Sequence, residues 1–320
     1  MRFHRNISFA VIDALMAIFN EGEYADKVVA RALKLDKRWG SSDRKFVAET
    51  IYDIVRWKRL YAEIAEIKKE PFDRDGIWRM FAVWATLKGH TLPDWKYFEG
   101  TPVRKIKGKF DELSKDRKFK ESIPDWMDEI GVKELGEAVW SKEIKAQNEP
   151  AKVILRTNTI NTTKEALKLE LLKLDIHTQA IEDYPEALVL DERANVFMTD
   201  AFKNGMFEVQ DASSQMVAHM LDIQPGMRVV DTCAGAGGKT LHMACLMQNK
   251  GQIIAMDLYE SKLKQLKIRA KRNGIHNIEY RVIDTTKVIK KLHGQADRVL
   301  IDAPCSGLGV LKRNPDAKWK

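Results

Sequence analysis

The feature that most constrains the fold is a regular alternation of strands and helices in the last third of the chain. Apolar segments at residues 227–231, 252–257, 278–284 and 298–302 predict four strands, and the periodicity of residues 261–273 predicts a helix between the second and the third. This alternation indicates a parallel, doubly wound sheet with its ligand crevice at the carboxyl ends of the strands. Each predicted strand ends in an aspartate, so we expect carboxylates at that crevice.

A glycine-rich loop follows the first of these strands and opens a helix. It reads DTCAGAGGKT at residues 231–240, and its glycines let backbone amides approach a ligand closely at the helix N-terminus. A phosphate-binding Walker A loop would need glycine where Cys233 stands, and the dinucleotide fingerprint would need glycine in place of Thr240. The remaining interpretation is a loop that wraps the methionine end of S-adenosylmethionine.

Two aspartates at the ends of later strands are candidates for contacts with the rest of that cofactor. Asp257 follows the loop by about 20 residues, the spacing at which a carboxylate accepts hydrogen bonds from ribose hydroxyls. The alternative for Asp257 is a cap for the helix that begins near Ser261. Asp284 is placed either to meet the adenine side of the crevice or to form a turn.

Cys305 is a candidate catalytic residue because the segment DAPCSGLG, residues 302–309, follows the fourth strand, where a doubly wound fold places its chemistry. One reaction that needs a cysteine beside a methyl donor is the methylation of carbon 5 of cytosine. That carbon is a poor nucleophile, so a thiolate must first add at carbon 6. The resulting enamine takes the sulfonium methyl group, and loss of the carbon 5 proton expels the thiolate. The alternative for Cys305 is a small buried residue in a tight turn.

The N-terminal part of the chain, residues 1–130, predicts an all-helical domain, with apolar residues recurring on one face at Ile7, Val11, Leu15 and Ile18. A later helix is expected to carry a basic stripe beside aromatic side chains on its outer face. This mixture favours RNA contact, or alternatively a solvated surface. The stripe and its aromatic neighbours are Arg44, Lys45, Arg56, Trp57, Lys58, Arg59 and Tyr61.

A small α/β element is predicted between this helical part and the parallel sheet. Residues 152–157, 188–190 and 207–209 predict strands, and residues 163–174 predict an amphipathic helix. The Lys- and Arg-rich stretch at residues 103–120 is interpreted as a surface connection or a weakly packed helix.

Three segments together resemble the RsmB/Sun family of RNA (cytosine-5) methyltransferases: FEVQDASSQ at residues 207–215, the glycine loop, and DAPCSGLGVLKRNPDAKW at residues 302–319. Residues 42–57 are similar to the NusB-like RNA-binding domain of that family. The resemblance implies an α/β Rossmann-like class I methyltransferase domain with an incomplete parallel sheet. An all-α NusB-like domain and a small α/β, RRM-like linker subdomain precede it. The expected domains are residues 1–130, 131–210 and 211–320.

The resemblance also implies S-adenosylmethionine as the cofactor and RNA as the partner, with ribosomal RNA as the expected substrate. Cys305 then assists release of the product from a cysteine–cytosine covalent adduct. The family loop usually reads Cys-Ala-Ala-Pro-Gly-Gly-Lys, and here Gly235 and Ala236 occupy its third and fourth places, a looser turn that should still expose the amides. The implied cofactor-binding residues are Cys233, Ala234, Gly235, Ala236, Gly237, Gly238, Lys239, Asp257, Asp284 and Asp302.

The family nucleophile lies in a Thr-Cys motif after the fifth strand, whereas this sequence stops at Lys320, just beyond the fourth. We therefore expect a fragment that lacks the nucleophile, does not turn over normally, and leaves the fourth strand as an uncovered edge. One alternative is that Cys305 itself attacks cytosine. An alternative from another functional class is a non-catalytic RNA-binding factor that depends on the NusB-like half.

Composition sets broader limits. The formal net charge of +8 suits a polyanionic partner such as RNA. Three cysteines without paired spacing argue against a disulfide framework or a zinc knuckle and predict no metal site. No segment reaches the ~18 uninterrupted apolar residues of a membrane-spanning helix. The expectation is a cytoplasmic protein without a membrane partner, monomeric by default.

Overall fold

A computed structural model describes residues 3–320 of the chain. The chain forms two compact units, one of Met1–Ala151 with Ser306–Lys320 and one of Lys152–Cys305. The domain boundaries expected near residues 130 and 210 stay predictions, since the two compact units divide the chain at other positions.

The first unit is helical, as predicted. Its helix α1 buries the predicted face, because Ile7, Val11, Leu15 and Ile18 are at most 5% exposed in a core shared with the following helices. The α-helices are α1 Arg5–Asn20, α2 Ala25–Ala32, α3 Ser41–Arg56, α4 Lys58–Ile64, α5 Arg74–Leu87, α6 Val103–Leu113, α7 Arg117–Lys120, α8 Asp125–Leu135 and α9 Glu137–Asn148. Short 3-10 helices lie at Lys96–Phe98, Leu308–Val310 and Pro315–Trp319.

The predicted basic stripe on α3 and α4 is wrong at its centre. Arg56 and Lys58 are buried, with 9% and 8% of their surface exposed, and Tyr61 is 4% exposed. The Arg56 guanidinium donates to the carbonyl oxygens of Leu311 (3.0 Å) and Lys312 (2.7 Å). Its charge stabilises backbone carbonyls inside the unit, so Arg56 is not available to a phosphate.

The C-terminal segment, residues 306–320, is held in the helical unit by a buried lysine. Lys318 is 1% exposed, and its ammonium group lies among four oxygen acceptors. Trp319 Nε1 also donates to the carbonyl of Val55 (2.7 Å). The acceptors of Lys318 are Arg56 O, Glu121 O, Ser122 O and Asn148 Oδ1, at 2.7–3.3 Å.

The second unit contains two sheets, of which the first is antiparallel with strand order β2-β3-β1-β4. Its strands are β1 Ile154–Thr157, β2 Thr178–Ala180, β3 Ala187–Leu190 and β4 Phe207–Val209, with α10 Lys164–Leu172 and α11 Asp200–Lys203 in the connections. The core beneath this sheet is apolar and includes Leu155, Leu188 and Phe207. The predicted strand at residues 207–209 is confirmed, whereas β2 was not predicted.

The second sheet is parallel, as predicted, with strand order β7-β6-β5-β8. Its strands are β5 Arg228–Asp231, β6 Gln252–Asp257, β7 Ile278–Val282 and β8 Arg298–Leu300, and its helices are α12 Ala212–Met220, α13 Gly238–Leu246, α14 Glu260–Arg272 and α15 Thr286–Lys290. Residues 253–256 of β6 are fully buried because helices and neighbouring strands enclose the centre of the sheet. Asp231 and Asp257 end their strands as predicted, whereas Asp284 and Asp302 lie two residues beyond theirs.

In residues 3–320, no helix is both long enough and apolar enough to cross a membrane.

Candidate cofactor site

The glycine loop joins β5 to α13, and Asp231 fixes both of its ends. Asp231 Oδ2 accepts from the Thr240 hydroxyl (2.7 Å), and Oδ1 accepts from the backbone N–H of Cys233 (3.3 Å). Burial raises the pKa of Asp231 to about 6. The carboxyl group therefore closes the loop from beneath and sets its width.

Two glycines in the loop have distinct roles. Gly237 has φ +89°, and a Cβ there would lie 1.9 Å from Leu266 Cδ1, so only glycine lets the start of α13 pack against α14. Gly235 has φ +55°, and its missing Cβ would meet no atom within 4 Å. A side chain is thus excluded at Gly237 by the protein itself, and the loop is open at Gly235.

Asp257 is brought directly to this loop. Its Oδ2 accepts from the backbone N–H of Gly235 (2.8 Å), and its Oδ1 accepts from the N–H of Tyr259 (2.8 Å). A carboxylate oxygen has more than one acceptor position, so both oxygens retain capacity for a ligand hydroxyl. The carboxylate at the end of β6 therefore lies directly against the loop, and its contact with a ribose stays a prediction.

Asp302 is brought to the loop through Lys239, since Lys239 Nζ donates to Asp302 Oδ2 (2.5 Å). Cys305 lies three residues further on and is exposed. Asp284 is also exposed, at the far side of β6 in the strand order. The structure therefore groups residues 233–239 with Asp257 and Asp302, and leaves the side chains of Asp284 and Cys305 open to solvent.

Sequence reasoning missed two arginines that support the loop from behind. Arg269 donates to the carbonyl of Ala236 (2.7 Å) and to Glu208 (2.8 Å). Arg156 is fully buried and donates to the carbonyl of Gly238 and to Gln210, both at 2.6 Å. An arginine inside the apolar strand VILRT was the available signal, since a buried guanidinium needs several acceptors.

The hydrogen bonds from Arg269 to the carbonyl of Ala236 and from Arg156 to the carbonyl of Gly238 orient these loop carbonyls toward the protein. Within residues 3–320 the backbone N–H of Ala236 has no hydrogen-bond acceptor, and Ala236 directly precedes Gly237, the N-cap residue of α13. A ligand with oxygen or carboxylate acceptors is favoured at such a helix N-terminus. The open space at Gly235 and the acceptor oxygens of Asp257 complete a site that fits S-adenosylmethionine, which has both a carboxylate and ribose hydroxyls.

The parallel sheet, the glycine loop after its β5 strand and the carboxylate at the end of β6 define a class I methyltransferase fold. The crystal structure of PH0851 superposes on 100% of this chain and on 78% of that chain, with a TM-score of 0.77 and 25% identity.

Two family models match parts of this chain and agree with this class. The model of the 16S rRNA methyltransferase RsmB/F matches residues 218–320, and the model of the RsmF/B-like ferredoxin-like domain matches residues 123–197. These two matches and the relatives described next support an RsmB/Sun family RNA methyltransferase.

Individual relatives show how much of the family the chain covers. It is 29% identical to the "Probable ribosomal RNA small subunit methyltransferase B" of Synechocystis, over 99% of this chain and 77% of that protein. It is 34% identical to the Bacillus subtilis protein of the same name, over 62% of this chain and 44% of that protein. The mouse tRNA (cytosine(72)-C(5))-methyltransferase NSUN6 is 39% identical over 36% of this chain and 27% of that protein. The chain thus spans less than half of the last two relatives.

Proposed function

We propose that this chain binds S-adenosylmethionine at the glycine loop and serves the methylation of carbon 5 of cytosine in RNA, with ribosomal RNA as the substrate. The observation that carries the proposal is the hydrogen bond between Asp257 and the N–H of Gly235, which unites the loop with the carboxylate expected to meet a ribose. Relatives that act on small-subunit ribosomal RNA and on cytosine carbon 5 of tRNA support the substrate class and the position.

Each part of the site has a defined task in this proposal. Bound S-adenosylmethionine supplies an electrophilic methyl group. Asp257 accepts hydrogen bonds from the ribose hydroxyls, and the N–H of Ala236 faces the amino acid end. Lys239 holds Asp302 beside the loop, and Cys305 follows Asp302 by three residues. These residues bind and orient, and none of them has to change its charge during the reaction.

Cys305 is proposed to assist breakdown of the covalent adduct, as the family resemblance implies. In the reaction of the family, the thiolate of the Thr-Cys motif adds to carbon 6 of cytosine, and carbon 5 gains the methyl group. A base then removes the carbon 5 proton, and the thiolate departs with its bonding electrons. The exposure of Cys305 is consistent with direct access to an RNA base. If Cys305 were itself the attacking residue, the 320-residue chain would capture 5-fluorocytosine-containing RNA covalently, and Cys305→Ala would not. A purely assisting role predicts that covalent capture does not depend on Cys305.

The cofactor assignment is tested by calorimetric titration of the 320-residue chain with S-adenosylmethionine and, separately, with ATP. We expect binding of the first alone. Asp257→Ala should weaken binding by about 1.5–3 kcal/mol, the usual contribution of hydrogen bonds to a charged group.

Glu165→Ala, which removes an exposed carboxylate on α10, is the matched control and should bind like the unchanged chain. Binding of ATP in place of S-adenosylmethionine would overturn the cofactor assignment. Equal affinities of Asp257→Ala and the control would remove only the ribose contact.

A further inference from the structure

A second cluster of side chains lies in the Lys152–Cys305 unit and takes no part in the site above. Glu186 directly precedes β3, His219 is in the last turn of α12, and His242 is in the middle of α13. Their candidate ligand atoms all lie within 4.8 Å of one another. Three segments of the chain, far apart in sequence, therefore bring two imidazoles and one carboxylate to a single point.

The distances within this cluster are close to those of a coordination sphere. Glu186 Oε2 lies 2.8 Å from His219 Nε2 and 3.5 Å from His242 Nε2. Ligand atoms at about 2.0–2.2 Å from a tetrahedral zinc ion are separated by about 3.3–3.6 Å. The separation of 3.5 Å falls within that range and the separation of 2.8 Å lies below it, so an ion would require an outward movement of His219.

His242 takes no part in the candidate cofactor site. It is fully buried, and neither of its ring nitrogens makes a hydrogen bond within residues 3–320. A buried imidazole without partners loses its hydration without compensation. Its Nε2 is directed toward the carboxylate of Glu186 at a distance too long for a good hydrogen bond.

The cluster offers two imidazole nitrogens and one carboxylate oxygen, which are donor atoms that bind divalent metal ions in proteins.

We propose that Glu186, His219 and His242 form a binding site for a divalent transition-metal ion, zinc by ligand preference. Two imidazoles and one carboxylate are a common ligand set for zinc, with water in the fourth position. Water has access from the side of His219, whose side chain is 27% exposed. The ion would join the antiparallel sheet, through Glu186, to the helix that follows the glycine loop.

The test uses the 320-residue chain after removal of metal with a chelator. Titration with Zn²⁺ followed by calorimetry should show one site, and Co²⁺ should give the intense visible absorption of a tetrahedral site. His219→Asn and Glu186→Gln each remove one ligand with little change in volume. We expect each to weaken Zn²⁺ binding at least about tenfold, because the loss of a ligand exceeds the effect of a supporting residue.

The matched control is His177→Asn. His177 forms a similar contact with a carboxylate, Asp175, at 3.0 Å but on the surface. Retention of the site in His177→Asn and its loss in the two cluster variants would support the proposal. No bound zinc in the unchanged chain, or equal binding by all variants, would overturn it. Cobalt bands from thiolate ligands would also overturn it, since they would place the ion at a cysteine.

Discussion

Asp231 is the residue whose ionisation is most strongly altered by the fold of the cofactor site. The sequence showed that it ends a strand, but not that Thr240 and the N–H of Cys233 would enclose its carboxyl group. Burial raises its pKa from 3.8 to about 6. Between these pH values the folded chain binds more protons than the unfolded chain, so this group's contribution to stability falls as the pH rises.

Asp231→Asn should abolish this contribution. We expect the difference in unfolding free energy between the unchanged chain and the variant to shift by up to about 3 kcal/mol from pH 4 to pH 7, in favour of the variant at the higher pH. Urea unfolding at several pH values measures it. Asp191→Asn, at an exposed position, should show no such shift, and parallel curves for Asp231→Asn and the unchanged chain would contradict the prediction.

Arg269 is a positioning residue, because it holds the carbonyl of Ala236 and does not reach into the open side of the loop. Arg269→Met should lower the affinity for S-adenosylmethionine about tenfold, the effect of one hydrogen bond. In Arg269→Met, Glu208 keeps Arg272 and Asn273 as partners, so the free energy of unfolding should fall only slightly. Calorimetry and urea unfolding on the same sample separate the two effects.

Lys267→Met changes an exposed lysine on the same helix and is the control for Arg269→Met. If Arg269→Met bound S-adenosylmethionine as tightly as the control, the loop would not need its arginine support.

At the scale of elements, the C-terminal segment, residues 306–320, is attached to the helical unit mainly through polar contacts to backbone carbonyls. Lys318 donates to carbonyls at the end of α3 and at the turn before α8, and to Asn148 at the end of α9. Such a buried ammonium replaces packing that an apolar side chain would otherwise supply. Its removal leaves several carbonyl oxygens without a donor.

Lys318→Met should therefore release this segment. We expect a loss of about 1–3 kcal/mol in local stability, seen as faster amide hydrogen exchange in residues 306–320. Lys115→Met, at an exposed position after α6, should leave exchange unchanged. Unchanged protection in Lys318→Met would show that the apolar contacts of Leu311 are sufficient.

The elements also show what local sequence can determine. Strand β6 was predicted residue for residue because a central parallel strand reads as a continuous apolar run. Strand β2 was missed because its three residues are one buried threonine followed by two exposed residues, without an apolar pattern. The burial of Arg56 and Lys58 could not be predicted, since the acceptors of Arg56 lie about 255 residues away in sequence.

The two candidate sites differ in the same respect, since one is placed by local sequence and the other only by the tertiary fold. The loop, Asp257 and Asp302 could be proposed from the sequence because a strand, a turn and a helix place them locally. Glu186, His219 and His242 have no characteristic spacing, so only the three-dimensional structure brings them together.

For the whole molecule, the net charge of +8 predicts RNA affinity that falls with salt. With Arg56 and Lys58 buried, we expect the basic segment Lys312-Arg313 to supply part of the contacts. Replacing both by alanine should reduce the slope of log affinity against log salt by about 1.4, or 0.7 for each phosphate contact to a single strand. Filter binding between low and physiological salt measures the slope.

Lys142→Ala with Lys145→Ala removes the same charge from the exposed side of α9 and is the matched control. Identical slopes for the two double variants would show that only the total charge matters. RNA binding that does not depend on salt would exclude a phosphate-based interaction altogether.

The ionic network behind the glycine loop has a consequence for modular engineering. Glu208 belongs to the antiparallel sheet, yet its carboxylate pairs with Arg269 and Arg272 on a helix of the parallel sheet. Arg156 of the first sheet likewise reaches Gly238 of the second. A truncated variant that began at residue 211 would lack Glu208 and Arg156. It would leave Arg269 and Arg272 without their counter-charge and the carbonyl of Gly238 without its donor. Chimeras with relatives should therefore exchange residues 152–305 as one block.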